Sequence, residues 1–180
     1  YGYRPLEKML LLDDEVHHAI SKMFLFGKIS DAAKYLFDLY KVAPERAQEG
    51  LNGLIQSQGI DSICSQVMEY SLHDFQFTLF YLYRVDAQVA QTIVAKIDIE
   101  RLARRAAKDN LYNLSWCIRT LARISKERTG QLLEAISLDQ LIAMVQASNL
   151  DTVERMLSHI CRFEVQYSRI MELIQYIVEN

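Results

Sequence analysis

The sequence predicts an all-α protein built by repetition, on three observations. Helix breakers are scarce, the chain matches itself at an offset of 39 residues, and helix-capping residues recur in the same phase. Among 180 residues there are 2 prolines, Pro5 and Pro44, and 6 glycines. Leu, Ile, Ala, Gln, Glu and Arg are abundant, which favours helix over strand. Apolar residues make up 51% of the chain, enough for a sizeable core in one domain or one continuous array.

The self-similarity is apolar. At the 39-residue offset Ile60, Ile99 and Leu138 align, as do Leu72, Leu111 and Leu150; Leu79, Ile118 and Leu157; and Leu82, Leu121 and Ile160. In a chain so rich in apolar residues such matches are weak by themselves. The capping residues strengthen them. Ser71, Asn110 and Asn149 open one helix, Gly59, Asp98 and Ser137 a second, and Asp86 and Ser125 a third. These residue types satisfy the free N–H groups of a first helical turn. Ser137 and Gln140 have the spacing of a capping box.

Each unit therefore reads as three short helices. The second unit spans about 86–97, 98–109 and 110–124, and the third about 125–136, 137–148 and 149–163. The unit before them, 43–85, carries about four extra residues around Gly50–Gly53, and Pro44 stands where a helix N1 residue belongs. An opening unit, 13–42, contains an amphipathic helix with Val16, Ala19, Ile20, Met23 and Phe24 on one face. Residues 164–180 repeat only the first helix of a unit, and the segment 1–12 is too short to classify. A lone short unit cannot bury its apolar face, whereas stacked units can. The expected architecture is an α-solenoid of the HEAT or armadillo kind, with about 3.5 three-helix repeats. The chain does not begin with Met and stops within a unit, so we read it as part of a longer polypeptide. That end leaves an apolar edge around Tyr167, Ile170, Ile174 and Ile177, open to self-association.

The phrase Leu114-Ser115-Trp116-Cys117-Ile118-Arg119, with Leu121, Ser125-Lys126-Glu127-Arg128 and Leu132-Leu133-Glu134 after it, resembles a known kind of repeat. Such repeats form the C-terminal arrays of bacterial and archaeal signal-transducing NTPases of the STAND/NACHT type. The resemblance covers residues 72–163 and implies a sensor or protein-interaction arm, with the ATPase elsewhere in the parent chain. This sequence has no GxxxxGK[ST] loop, so no nucleotide-binding role is implied. Repeats of this kind share structural positions only, so no site residues carry over.

A net charge of −3 exerts no global pull on nucleic acid or an anionic membrane. No apolar run reaches membrane-spanning length; the longest, from Phe75 to Tyr83, is interrupted by Gln76 and Thr78. Cys64, Cys117 and Cys161 are odd in number, widely spaced and set in apolar stretches. They read as buried reduced thiols in a cytoplasmic protein.

Four groups of residues carry candidate chemistry. Asp13, Asp14, Glu15, His17 and His18 are metal-ligand types, but adjacent histidines point about 100° apart on a helix and cannot easily share an ion. An acidic first turn, favourable to the helix dipole, explains them better. Cys117 and Cys161 have no local histidine to activate them. Arg101, Arg104, Arg105 and Lys108 have the charge to contact phosphate but read as a solvated helix face. We therefore expect no catalytic, metal or cofactor site.

The fourth group is the most informative. With Leu111, Leu114, Ile118 and Leu121 as a core stripe, Tyr112, Trp116, Arg119 and Arg123 fall on the opposite side of the helix. The same positions hold His73, Phe77, Phe80 and Arg84 one unit earlier, Asp151, Arg155, Ser158 and Arg162 one unit later, and Ser30, Lys34, Phe37 and Lys41 in the opening unit. Lys41, Arg84, Arg123 and Arg162 make a basic ladder. Aromatics beside arginines are enriched at interface hot spots. Phe77, Phe80, Arg84, Tyr112, Trp116, Arg119 and Arg123 are thus the expected protein-binding residues of a non-catalytic scaffold. Two structural explanations compete: a helix sandwiched between others, and cations placed at helix C-termini for the dipole. A nucleic-acid-binding solenoid using the same aromatics and arginines is the alternative function, and the negative net charge argues against it.

Overall fold

The structure, a computed structural model, describes residues 29–162 and 168–179. Among these the chain forms eleven α-helices and no strand. They are α1 (Ile29–Tyr40), α2 (Pro44–Gln58), α3 (Ile60–Glu69), α4 (Leu72–Val85), α5 (Ala87–Lys96), α6 (Ile99–Ala106), α7 (Leu111–Ile124), α8 (Lys126–Ala135), α9 (Leu138–Gln146), α10 (Leu150–Arg162) and α11 (Ser168–Glu179). The helix expected around Val16–Phe24 and the cluster Asp13, Asp14, Glu15, His17 and His18 lie outside the described residues.

The helix starts fall at the capping residues. Ser71 accepts from the Asp74 N–H at 3.1 Å, Asn110 from Asn113 at 2.8 Å, and Asn149 from Thr152 at 2.9 Å. Asp98 accepts from Arg101 at 2.9 Å, Asp86 from Gln88 and Val89 at 2.8 and 3.0 Å, and Ser125 from Arg128 at 3.2 Å. Ser137 and Gln140 close a reciprocal capping box. Each such cap is worth about 1 kcal/mol. Gly59 is different, since it has no side chain to cap with. Its φ of 76° lets the chain leave α2 and enter α3 through a single residue, with its N–H donating to Ile55 O at 2.9 Å. Pro44 takes the first turn of α2, where its missing N–H costs nothing. The extra residues around Gly50–Gly53 are absorbed as helix: α2 has 15 residues where α5 and α8 have 10.

One row of helices organises the molecule. α1 packs on α4, α4 on α7, and α7 on α10. The inward stripes of these helices are fully buried, among them Leu36, Phe75, Leu79, Leu114, Ile118 and Met156. The shorter helices cover the other side of this core: α5 contacts α4 and α7, and α8 contacts α6 and α7. Arginines tie neighbouring helix ends together. Arg128 donates to Val94 O at 3.2 Å and also to Ile97 O, capping the end of α5. Arg105 donates to Met68 O and Arg101 pairs with Glu69 at 2.6 Å, joining α6 to the end of α3. Arg105 is therefore a structural member of the basic run, whereas the Arg101 pair is exposed.

Two sequence expectations need correction. Cys64 and Cys117 are buried free thiols, but Cys161 is exposed, because it lies on the solvent side of the last turn of α10. Ile174 and Ile177, expected on an open edge, are half-buried and pack on the core because α11 docks against α9 and α8. The apolar exposure near that end belongs to Leu150, Met171 and Val178. Tyr167 and the side chain of Ile170 lie outside the described residues. Among the described residues no helix is long and apolar enough to cross a membrane.

Candidate functional site

The outer face of the helix row is the candidate site. Alternation along α7 builds it: Leu111, Leu114, Ile118 and Leu121 point inward and are at most 1% exposed. Tyr112 is 43% exposed, while Trp116, Arg119 and Arg123 are half-buried. On α4, Phe77 is 37% exposed, Phe80 half-buried, and His73 and Arg84 exposed. The matching positions of α1 and α10 are likewise exposed or half-buried, so none of the sixteen lies in the core. Of these positions, half-buried Phe37 packs against the edge of the core.

Two aromatic groups occupy the face. On α1 and α4, Tyr81 stacks on Phe37 at 5.4 Å and on Phe77 at 6.0 Å, and Phe80 meets both Phe37 and Tyr81 edge-on. On α7, the Trp116 ring lies 6.3 Å from Tyr112 and 5.6 Å from His159 of α10. Two guanidinium groups cover these rings. Arg119 sits 4.7 Å from the Trp116 centroid, and Arg155 sits 5.3 Å from Tyr112 and 5.9 Å from Trp116. The Trp116 indole N–H is buried with no hydrogen-bond partner among the described residues. Such an orphan donor costs about 1–3 kcal/mol, and a native site that keeps one calls for a reason.

Between α4 and α7 the face is indented by a cavity of about 120 Å³. Gln76, Phe77 and Phe80 line it from α4, and Trp116, Arg119, Thr120 and Arg123 from α7. Five of the seven expected binding residues thus converge on one cavity. Arg84 and Tyr112 stand outside it on the same face.

The electrostatics are one-sided. Burial lowers the Arg119 pKa, and the neighbouring charges of Arg123 and Arg162 lower it further. Among the described residues no carboxylate pairs with Arg84, Arg119, Arg123, Arg155 or Arg162. Lys41, the first rung of the expected ladder, is instead held by Asp38 at 2.7 Å and lies 4.2 Å from the Phe37 centroid. Arg84, Arg123 and Arg162 occupy the last turns of α4, α7 and α10, where the helix dipole favours them. Arg119 is a turn away from that position, so the dipole does not account for it.

His159 anchors the site from behind. Its Nδ1–H donates to Ser115 O at 2.9 Å, tying α10 to α7. Burial holds its pKa below the usual imidazole value, and Arg119, Arg155 and Arg123 push it the same way, against the raising effect of the Ser115 bond. The Cys117 thiol is buried and pushed up to about 12, which keeps it protonated at neutral pH. Among the described residues no three His, Cys, Asp or Glu side chains gather as metal ligands would.

The sequence reading placed Arg155 on this face without counting it among the binding residues, and it missed Tyr81, Gln76, Thr120 and His159. Arg155 was legible in part, since it stands one unit after Trp116 and therefore beside it in the row. The other four flank the expected face, where apolar periodicity assigns no role. No family model, curated protein or solved structure matches the chain.

Proposed function

We propose that the chain is a non-catalytic scaffold for protein–protein recognition, an α-solenoid of three-helix repeats with a 39-residue period. The resemblance of residues 72–163 to the arrays of STAND/NACHT-type proteins adds the role of a sensor or interaction arm in a signalling protein. One observation carries the recognition reading. Phe77, Phe80, Trp116, Arg119 and Arg123 meet around a single cavity on the outer face of the helix row. An apolar recess with a cationic rim is the composition of a protein hot spot. Nucleic acid fits less well. Base stacking needs free ring faces, whereas Phe37, Phe77, Phe80 and Tyr81 contact one another and Arg119 and Arg155 cover Trp116.

The test is selection of binders from a random peptide library displayed on phage. Specific clones should be retained by the native chain and lost on the Phe77→Ser/Tyr112→Ser double variant. Both side chains are exposed, so that variant should keep its helical circular dichroism. Clones that bind the variant as well as the native chain would place recognition elsewhere.

A further inference from the structure

We infer that the groove between α4 and α7 takes an acidic peptide segment, seating one medium-sized apolar side chain in the cavity and laying carboxylates on Arg119 and Arg123. This rests on the protein-recognition reading and specifies the partner's chemistry.

The cavity sets the apolar part. Its volume is about 120 Å³, and its walls include Phe77, Phe80 and Trp116. Apolar cavities of roughly 150 Å³ accept a benzene-sized group, so this one suits a single Leu, Ile, Val or Met side chain.

The rim sets the charge. Arg119 and Arg123 line the cavity, and Arg162 is close enough to act on Arg119. Like charges brought together raise the free energy of the empty site, and an anion relieves it. Among the described residues no carboxylate supplies a counter-charge there, although the net charge of the chain is −3. Carboxylate–cation pairs lie elsewhere: Asp38 with Lys41, Asp61 with Lys96, and Glu69 with Arg101. A guanidinium can hold a carboxylate through two parallel N–H···O bonds, which gives the rim geometric selectivity as well as charge.

Polar groups in the walls suit a peptide backbone. Gln76 and Thr120 are 3% and 6% exposed, line the cavity, and make no side-chain hydrogen bond among the described residues. An amide and a hydroxyl offer a donor and an acceptor to a main chain entering the groove. A few convergent polar groups in an otherwise apolar recess are the usual makeup of a ligand site.

The test uses the whole chain and random 12-residue peptides on phage. Selected clones should be enriched in Asp and Glu within two residues of an aliphatic side chain. A synthetic Trp-free peptide of a selected sequence should bind saturably, read through the emission of Trp116, the single tryptophan. Its Kd should rise at least tenfold when its carboxylates become amides, and likewise on the Arg119→Gln/Arg123→Gln variant. Thr120→Leu, which fills the cavity, should weaken binding with helicity retained. The Arg119→Glu/Arg123→Glu variant should select basic clones instead.

Neutral clones, or an amide peptide that binds as tightly as the acidic one, would overturn the acidic assignment and leave protein recognition standing. Unchanged binding by Thr120→Leu would overturn the seating of a side chain in the cavity. Recovery of no specific clone would overturn both readings. A 15-residue deoxythymidine strand that binds the same face more tightly than any peptide would put nucleic acid in their place.

Discussion

Arg128 and Arg123 stand on consecutive helices and use the same guanidinium differently. Arg128 donates to two carbonyls at the end of α5 and is half-buried. Removing it leaves those carbonyls without their charged donor. Arg128→Ala should therefore cost about 1.5–3 kcal/mol in urea denaturation. Arg123 has no carboxylate partner among the described residues and faces Arg119. Arg123→Gln should stay within about 0.5 kcal/mol of the native chain, on either side. Equal losses for the two variants would mean that Arg123 supports the fold and is not held in reserve for a ligand. Trp116 is a poorer probe at this scale, because its ring packs on Tyr112 and His159. Its truncation would mix packing with binding.

Each described helix is short, so its ends matter as much as its middle. Side-chain caps at Ser71, Asp86, Asp98, Asn110, Ser125, Ser137 and Asn149 set most of the starts. The junction of α2 and α3 uses backbone conformation instead. Gly59 has φ 76° and ψ 147°, a region nearly closed to other residues, and a Cβ there would meet nothing within 4 Å. The cost of Gly59→Ala is thus conformational, about 1–3 kcal/mol. Gly53 lies inside α2, exposed, and a Cβ added to it would enter open space. Gly53→Ala should instead stabilise by about 0.5–1 kcal/mol. Thermal unfolding of the two variants should move in opposite directions. A shift of the same sign in both would refute this account of the junction.

At the scale of the molecule, stability should grade along the helix row. α4 and α7 each pack on a row neighbour at both sides, whereas α10 packs on α7 within the row, and α11 rests on α9 and α8. Helices that pack on a neighbour at one side only open locally before those packed at both sides. Amide hydrogen exchange should be slowest in α4 and α7 and fastest in α11. Uniform protection would show that the helices open as one body. The same row explains why the candidate site is central. The cavity between α4 and α7 is framed by two helices that each pack on a row neighbour at both sides, so slow exchange there would mean that the proposed groove is pre-organised.

Much of this was legible without coordinates. The all-α class, the helix starts and the positions of α4, α7 and α10 that lie opposite the core stripe follow from spacing and residue type. Local backbone chemistry sets them: free N–H groups want a capping oxygen, and 3.6 residues per turn divide each helix into faces. Ser71, Asn110 and Asn149 are read this way, and so is the opposition of Leu114 and Ile118 to Trp116 and Arg119 on α7. Contacts between helices are a different matter. That Arg105 and Arg128 bind carbonyls of distant helices, that Cys161 faces solvent, and that Gln76 and Thr120 share a cavity with Arg119 and Arg123 depend on how helices sit against one another. Periodicity along one helix gives a side chain's direction and says nothing of what it meets. Only packing of the row decided which arginines found a partner among the described residues and which line the groove without one.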